Sequence, residues 1–264
     1  MSTLKKESAK LPRAPLIFVL AQVRFNPVSK MEYYVPDIQE YLRHHGFPWY
    51  RLENIQNIMI GPDTKAEITK RWIFDDVNHL RQVILTTDAI TFQTTAYDTF
   101  GRFLSDLNTA TQPLVDHAKV ELIQQIGLRY VDLLTEIDGS NSRDLVKPGF
   151  SGISGSEIAA GKTAFSFVLQ AQTPSGVLTI RSVQLLDMQA FLPPDIGQTS
   201  LRFPDRVSNP QNARVLDFDH ITQKNLPFNC DVLSRELTDL HGYTDKAFRA
   251  VTTEQARQLW GKEQ

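Results

Sequence analysis

The residues with most capacity for chemistry are Asp217-Phe-Asp-His220. On a strand, side chains alternate, so Asp217 and Asp219 share one face while Phe218 and His220 take the other. Carboxylates two residues apart lie about 7 Å from each other. Such a pair can share a cation or serve as acid and base. It can equally lie on a solvated face at a sheet edge. Arg129 is the second candidate, set in the apolar run Gly127-Leu-Arg-Tyr-Val-Asp132. Alternation puts Arg129, Val131 and Leu133 on one face, and Leu128, Tyr130 and Asp132 on the other. A buried arginine needs a carboxylate or a ligand anion. Pairing with Asp217 or Asp219 is the preferred reading. Arg129, Asp217, Asp219 and His220 form the candidate ligand-binding set, and no catalytic residue is assigned.

Other motifs carry less. Gly161-Lys-Thr163 resembles the end of a phosphate loop, but five residues separate Gly155 from Gly161 where four are needed. The segment also opens a strand, so no helix N-terminus receives a phosphate. His44, His45, His79, His117, His220 and His241 show no zinc-type spacing with one another or with Cys230. No metal or cofactor is therefore expected. Cys230 precedes a predicted helix but has no base nearby, so an inert, half-buried thiol is expected. Tyr33, Tyr34, Tyr41, Trp49 and Tyr50 form an aromatic patch suited to core packing, with any exposed remainder open to a partner.

Strands and helices must position these groups. Apolar and β-branched runs predict strands at 15–25, 50–60, 70–75, 82–95, 120–134, 163–173, 177–187 and 214–222. Pro174-Ser-Gly176 predicts a hairpin turn. Pro36 is placed in the first turn of a helix ending near Gly46. Phe100, Leu104, Leu107, Leu114 and Val115 mark one face of a helix over 98–118. Residues 230–260 read as helical with a break near Thr252, and 191–212, with four prolines, as a long loop.

The chain also repeats itself. Asp98, Leu104, Asp106, Leu107 and Thr111 recur 133 residues later as Asp231, Leu237, Asp239, Leu240 and Thr244. Thr87-Asp-Ala-Ile-Thr91 resembles Phe218-Asp-His-Ile-Thr222 at an offset of 131, and Phe18-Val-Leu20 resembles Phe167-Val-Leu169. Duplication of a sheet–helix unit is the reading adopted. The fold class expected is α+β: two related lobes, each a mostly antiparallel sheet packed against a long amphipathic helix. The boundaries are a disordered lead-in at 1–13, a first lobe at 14–138, a Gly/Ser-rich loop at 139–162 and a second lobe at 163–264.

The chain has 264 residues with 28 Lys+Arg against 30 Asp+Glu, and this balance argues against nucleic acid as partner. One cysteine excludes an intrachain disulfide and suits a reducing compartment. No signal peptide or membrane span is read, so a cytoplasmic location is expected.

Ala14-Pro-Leu-Ile-Phe-Val-Leu-Ala-Gln-Val-Arg-Phe25, Leu85–Tyr97 with Phe100 and Leu104, Gly127–Asp132, Leu216-Asp-Phe-Asp219 and Arg257-Gln-Leu-Trp-Gly261 occur in this order. Together they resemble a family of sporadically distributed prokaryotic proteins of unknown function. Asp132 stands where asparagine is expected in many members. The resemblance implies a prokaryotic protein of patchy distribution, and brings no catalytic residues and no cofactor. The leading expectation is a non-enzymatic protein-binding or assembly subunit, with a protein partner, homo-oligomerisation, or both, in a defence or toxin–antitoxin type operon. The alternative is a small-ligand binder or enzyme with a polar pocket between the two lobes.

Overall fold

Leu16–Phe25 is apolar on both of its faces over its first six residues, so burial demands a strand covered above and below there. In the computed structural model, which describes residues 11–59, 65–158, 161, 163–184, 191–197, 199–207 and 213–262, this strand, β1, lies inside one sheet. The other strands are β2 (Trp49–Met59), β3 (Lys65–Asp75), β4 (Arg81–Leu85), β5 (Ala89–Thr94), β6 (Leu122–Leu134), β7 (Phe165–Thr173), β8 (Gly176–Gln184) and β9 (Arg214–Pro227). Their order is β2-β3-β4-β5-β1-β6-β9-β8-β7, with every neighbour antiparallel.

The helices are α1 (Met31–His44), α2 (Phe100–Asp116), α3 (Pro148–Ser151), α4 (Cys230–Val251) and α5 (Glu254–Trp260). The apolar sides of α1, α2 and α4 share a core with Val19, Ala21, Val23, Leu128, Leu216 and Phe218. The opposite face is covered differently. There Phe18, Val131, Leu133 and Val215 pack under Leu201 and Val207, with Phe191 and Phe203 beside them. The proline-containing segment from 191 to 207 thus does on one face what the helices do on the other. Thr99, Asn229 and Thr253 cap α2, α4 and α5, each accepting a backbone N–H three residues on. Among the described residues no helix is long and apolar enough to cross a membrane.

The mixed α and β character stands, but the two-lobe expectation is not confirmed: one nine-stranded sheet runs through both halves. Three local expectations are corrected. The long strand at 82–95 is a hairpin, because Thr86 Oγ1 donates to Asp88 Oδ1 (2.9 Å) and the Thr86 N–H to the Ala89 carbonyl, closing a turn between β4 and β5. The first helix begins at Met31, so Pro36 lies inside it; burial of Met31, Val35, Ile38 and Leu42 at helical spacing decides the start. Residues 139–162 are not wholly irregular. Arg214, fully buried, donates to the carbonyls of Phe150 and Ser151 and ties α3 to the sheet end. Lys162 of the phosphate-loop look-alike, residues 1–10 of the lead-in and 185–187 of the predicted strand lie outside the described residues.

The hairpin at Pro174-Ser175 forms as expected. Thr173 pairs with Gly176, whose φ is +149°, and a Cβ there would meet the Ile221 carbonyl oxygen at 2.0 Å. Glycine is therefore required where β8 passes β9.

Candidate functional site

Arg129 and Tyr130 are consecutive on β6, so they open onto opposite faces of the sheet. Each anchors a polar cluster, and the two clusters differ in kind.

On the segment-covered face, Arg129 donates from Nε and Nη2 to both oxygens of Asp217 (2.7 and 2.8 Å). It donates again from Nη1 and Nη2 to both oxygens of Asp195 (2.7 and 2.9 Å). Burial disfavours the guanidinium charge, but its hydrogen bonds to Asp217 and Asp195 outweigh this and hold its pKa above the ordinary value. Arg181 Nη1 adds a third bond to Asp217 at 2.8 Å. The Arg129 hydrogen bond draws the Asp195 carboxyl below its usual range. Burial pushes Asp219 upward instead. The register that makes this possible pairs Arg129 with Asp219 and Val131 with Asp217. Arg129, Asp217 and Asp219 are thus brought together, and Asp195 joins them from the covering segment.

His220 is not part of this group. It projects to the helix-covered face, where its ring meets Thr173 Oγ1 (2.8 Å) and the Leu240 carbonyl (3.1 Å). Burial lowers its pKa below 6.5. Cys230 is the first residue of α4, and its Sγ donates to Gln112 Oε1 at 3.6 Å. Burial, with Asp231 and Asp116 near, pushes this thiol up, against nucleophilic use. Among the described residues no group of three or more His, Cys, Asp or Glu side chains is placed to hold a metal.

The helix-covered face holds the better site. A cavity of about 630 Å³ opens where β1 begins and β6 ends, under the N-terminus of α2 and the second half of α4. Tyr130 reaches it from the sheet. Its hydroxyl lies 2.9 Å from His241 Nδ1 on α4 and is also hydrogen-bonded to Tyr97. The His241 ring stacks on Phe100 with centroids 4.1 Å apart. Burial first, and the Tyr97 hydroxyl next, drive the Tyr130 pKa well above 10, so it is a neutral phenol at physiological pH. Phe248 and Trp260 close the far wall, and Asp132, Glu136 and Asp245 add carboxylates to the lining.

Sequence reasoning placed Tyr130 and Asp132 on one face of their strand but gave them no role. It read His241 only for metal spacing. A usable signal was present on α4. His241, Thr244, Asp245 and Phe248 fall at i, i+3, i+4 and i+7, continuing the buried stripe of Leu233, Leu237 and Leu240 with polar residues.

No protein-family model matches this chain, and no curated protein matches it.

Proposed function

We propose that this protein binds a small ligand in the cavity bounded by Tyr97, Tyr130 and His241. One observation carries the reading: about 630 Å³ of space into which a neutral phenol, an imidazole and several carboxylates converge between aromatic walls. Small-molecule pockets are typically about 300–1,000 Å³, mostly apolar, with a few placed polar groups. The blocks that carry the family resemblance support the same place. Leu16, Tyr97, Phe100, Tyr130, Phe218 and Trp260 all belong to them, and all line the cavity. The reading assigns binding and no reaction.

The test is a thermal-shift screen of the wild type and Thr135→Trp, a substitution that adds an indole at a lining position and obstructs the cavity. Compounds grouped as cations, neutrals and anions are added in turn. At least one group is expected to raise the wild-type Tm, as native-state binding must, and to leave Thr135→Trp unmoved. Equal shifts in both proteins, or none in either, overturn the reading.

The protein-partner reading keeps a separate footing. Tyr33 on α1 and Ile68 on β3 are 76% and 66% exposed, and Tyr50 and Leu52 on β2 are also exposed. Membership of an operon-encoded assembly, and prokaryotic origin, follow from the family resemblance alone. If this surface joins copies of the chain, the wild type sediments as an oligomer and the Tyr33→Ser, Ile68→Lys double variant as a monomer. A wild type that sediments as a monomer removes that version.

The two-unit origin also remains a proposal. It is supported by α2 following β5 and α4 following β9, with β1 and β6 side by side between those strands. The 133-residue offset aligns buried Phe100, Leu107 and Thr111 with buried Leu233, Leu240 and Thr244.

A further inference from the structure

We infer that the cavity selects an organic cation, a protonated amine or quaternary ammonium on a compact apolar body. The inference rests on the small-ligand reading and adds the charge of the ligand.

Three features point the same way. First, the walls are aromatic: Tyr97, Phe100, Tyr130, Phe248 and Trp260 all line the space. The face of an aromatic ring carries partial negative charge and attracts cations, most strongly where water is displaced. Second, the formal charge around the cavity is negative. Asp98, Asp132, Glu136 and Asp245 line it, and among the described residues Arg13 is the one lysine or arginine that does. Arg13 is itself forked onto Asp138 at 3.1 and 3.1 Å, and Lys262 bonds the same carboxylate. Arg249 offsets Asp245 at 3.0 Å. Among the described lining residues, four carboxylates stand against one guanidinium. The positive end of α2 also points here, but Asp98 immediately precedes its cap residue Thr99 and opposes that partial charge. Third, Tyr130 stays a neutral phenol, so its oxygen can accept from an ammonium without changing the local charge.

An anionic ligand meets the opposite conditions. It would face carboxylates in a semi-enclosed space, where low-dielectric walls strengthen repulsion. Arg13, the one guanidinium lining the cavity among the described residues, is already held by a carboxylate.

Three probes with one ring body test the charge class: phenethylamine, 2-phenylethanol and phenylacetate, titrated calorimetrically into the wild-type protein near neutral pH. The amine is expected to bind at least about tenfold more tightly than the alcohol, and phenylacetate most weakly. Asp132→Asn, which keeps shape and removes charge, is expected to weaken the amine about tenfold and leave the alcohol unchanged. Asp132 is buried, so Glu136→Gln, at an exposed rim position, serves as the second variant and moves the same ratio in the same direction by less. Equal binding of amine and alcohol, or tightest binding of phenylacetate, overturns the charge class and leaves the ligand reading standing. Failure of all three probes to bind overturns both. An amine preference that neither variant reduces overturns the part given to the carboxylates.

Discussion

Arg129 and Tyr130 are chain neighbours, yet they belong to opposite kinds of polar cluster. On the Arg129 side, charge meets charge, with four of the guanidinium's five N–H groups engaged. One guanidinium donates four bonds to two carboxylates, and Arg181 donates to one of them as well. The segment from 191 to 207 lies across that face and brings Asp195 onto the guanidinium. On the Tyr130 side, polar groups line space. A saturated cluster holds a structure together. A converging cluster with room beside it has affinity to offer a ligand. The difference teaches that the strength of a charge network is a poor guide to function, and that space beside polar groups is a better one.

Substitutions can break or sharpen this contrast. Arg129→Met is expected to have the largest effect on stability. It leaves Asp217, 1% exposed, with Arg181 as its remaining partner among the described residues, and costs about 3–5 kcal/mol in chemical denaturation. Tyr130→Phe leaves the aromatic wall in place and removes one shared hydroxyl. It is expected to cost about 1–2 kcal/mol, with the larger consequence appearing in amine affinity. A ranking of these two in the reverse order would break the comparison. Asp195→Ala removes a half-exposed carboxylate and is expected to cost about 0.5–1 kcal/mol, diminishing with added salt.

The smallest effect is one of pH. Burial holds the folded His220 pKa below 6.5, so the unfolded chain takes up its proton first as pH falls. The unfolded state then binds more protons between the two values, and acidification from about pH 7 lowers stability through this window. His220→Gln is expected to flatten the Tm profile there. An unchanged slope would assign the acid sensitivity elsewhere.

The alternation of β6 was legible because period-2 patterning is local: Leu128, Tyr130 and Asp132 opposite Arg129, Val131 and Leu133 needed only their own strand. The pairing of Arg129 with Asp217 followed from the demand of a buried charge for a counter-charge. Asp195 was not legible. It arrives on a covering segment whose docking depends on Phe18, Val131 and Val215 beneath it. The turn at Thr86-Thr87-Asp88 escaped notice because it lacks glycine and proline and closes through side chains. The cavity's one local signature was the run of His241, Thr244, Asp245 and Phe248 on α4. Its other walls come from stretches near residues 13, 97, 130, 218 and 260, and no local pattern ties these together.

The sheet order sets a timetable for synthesis. β1 pairs on one edge with β5, some 70 residues later, and on the other with β6, more than 100 residues later. Once the ribosome has released Thr94, five strands can assemble as β2-β3-β4-β5-β1, with β1 at the rim. Its partner is complete only after Leu134, a delay of about 2–8 s at ordinary elongation rates. Through that interval Leu16–Phe25 is an unpaired, uncovered edge, the situation in which strands recruit other chains. The strand at the centre of the finished sheet is therefore an aggregation hazard in the nascent chain. A chaperone that held it for those seconds would act before any residue of the second half had been made into a helix.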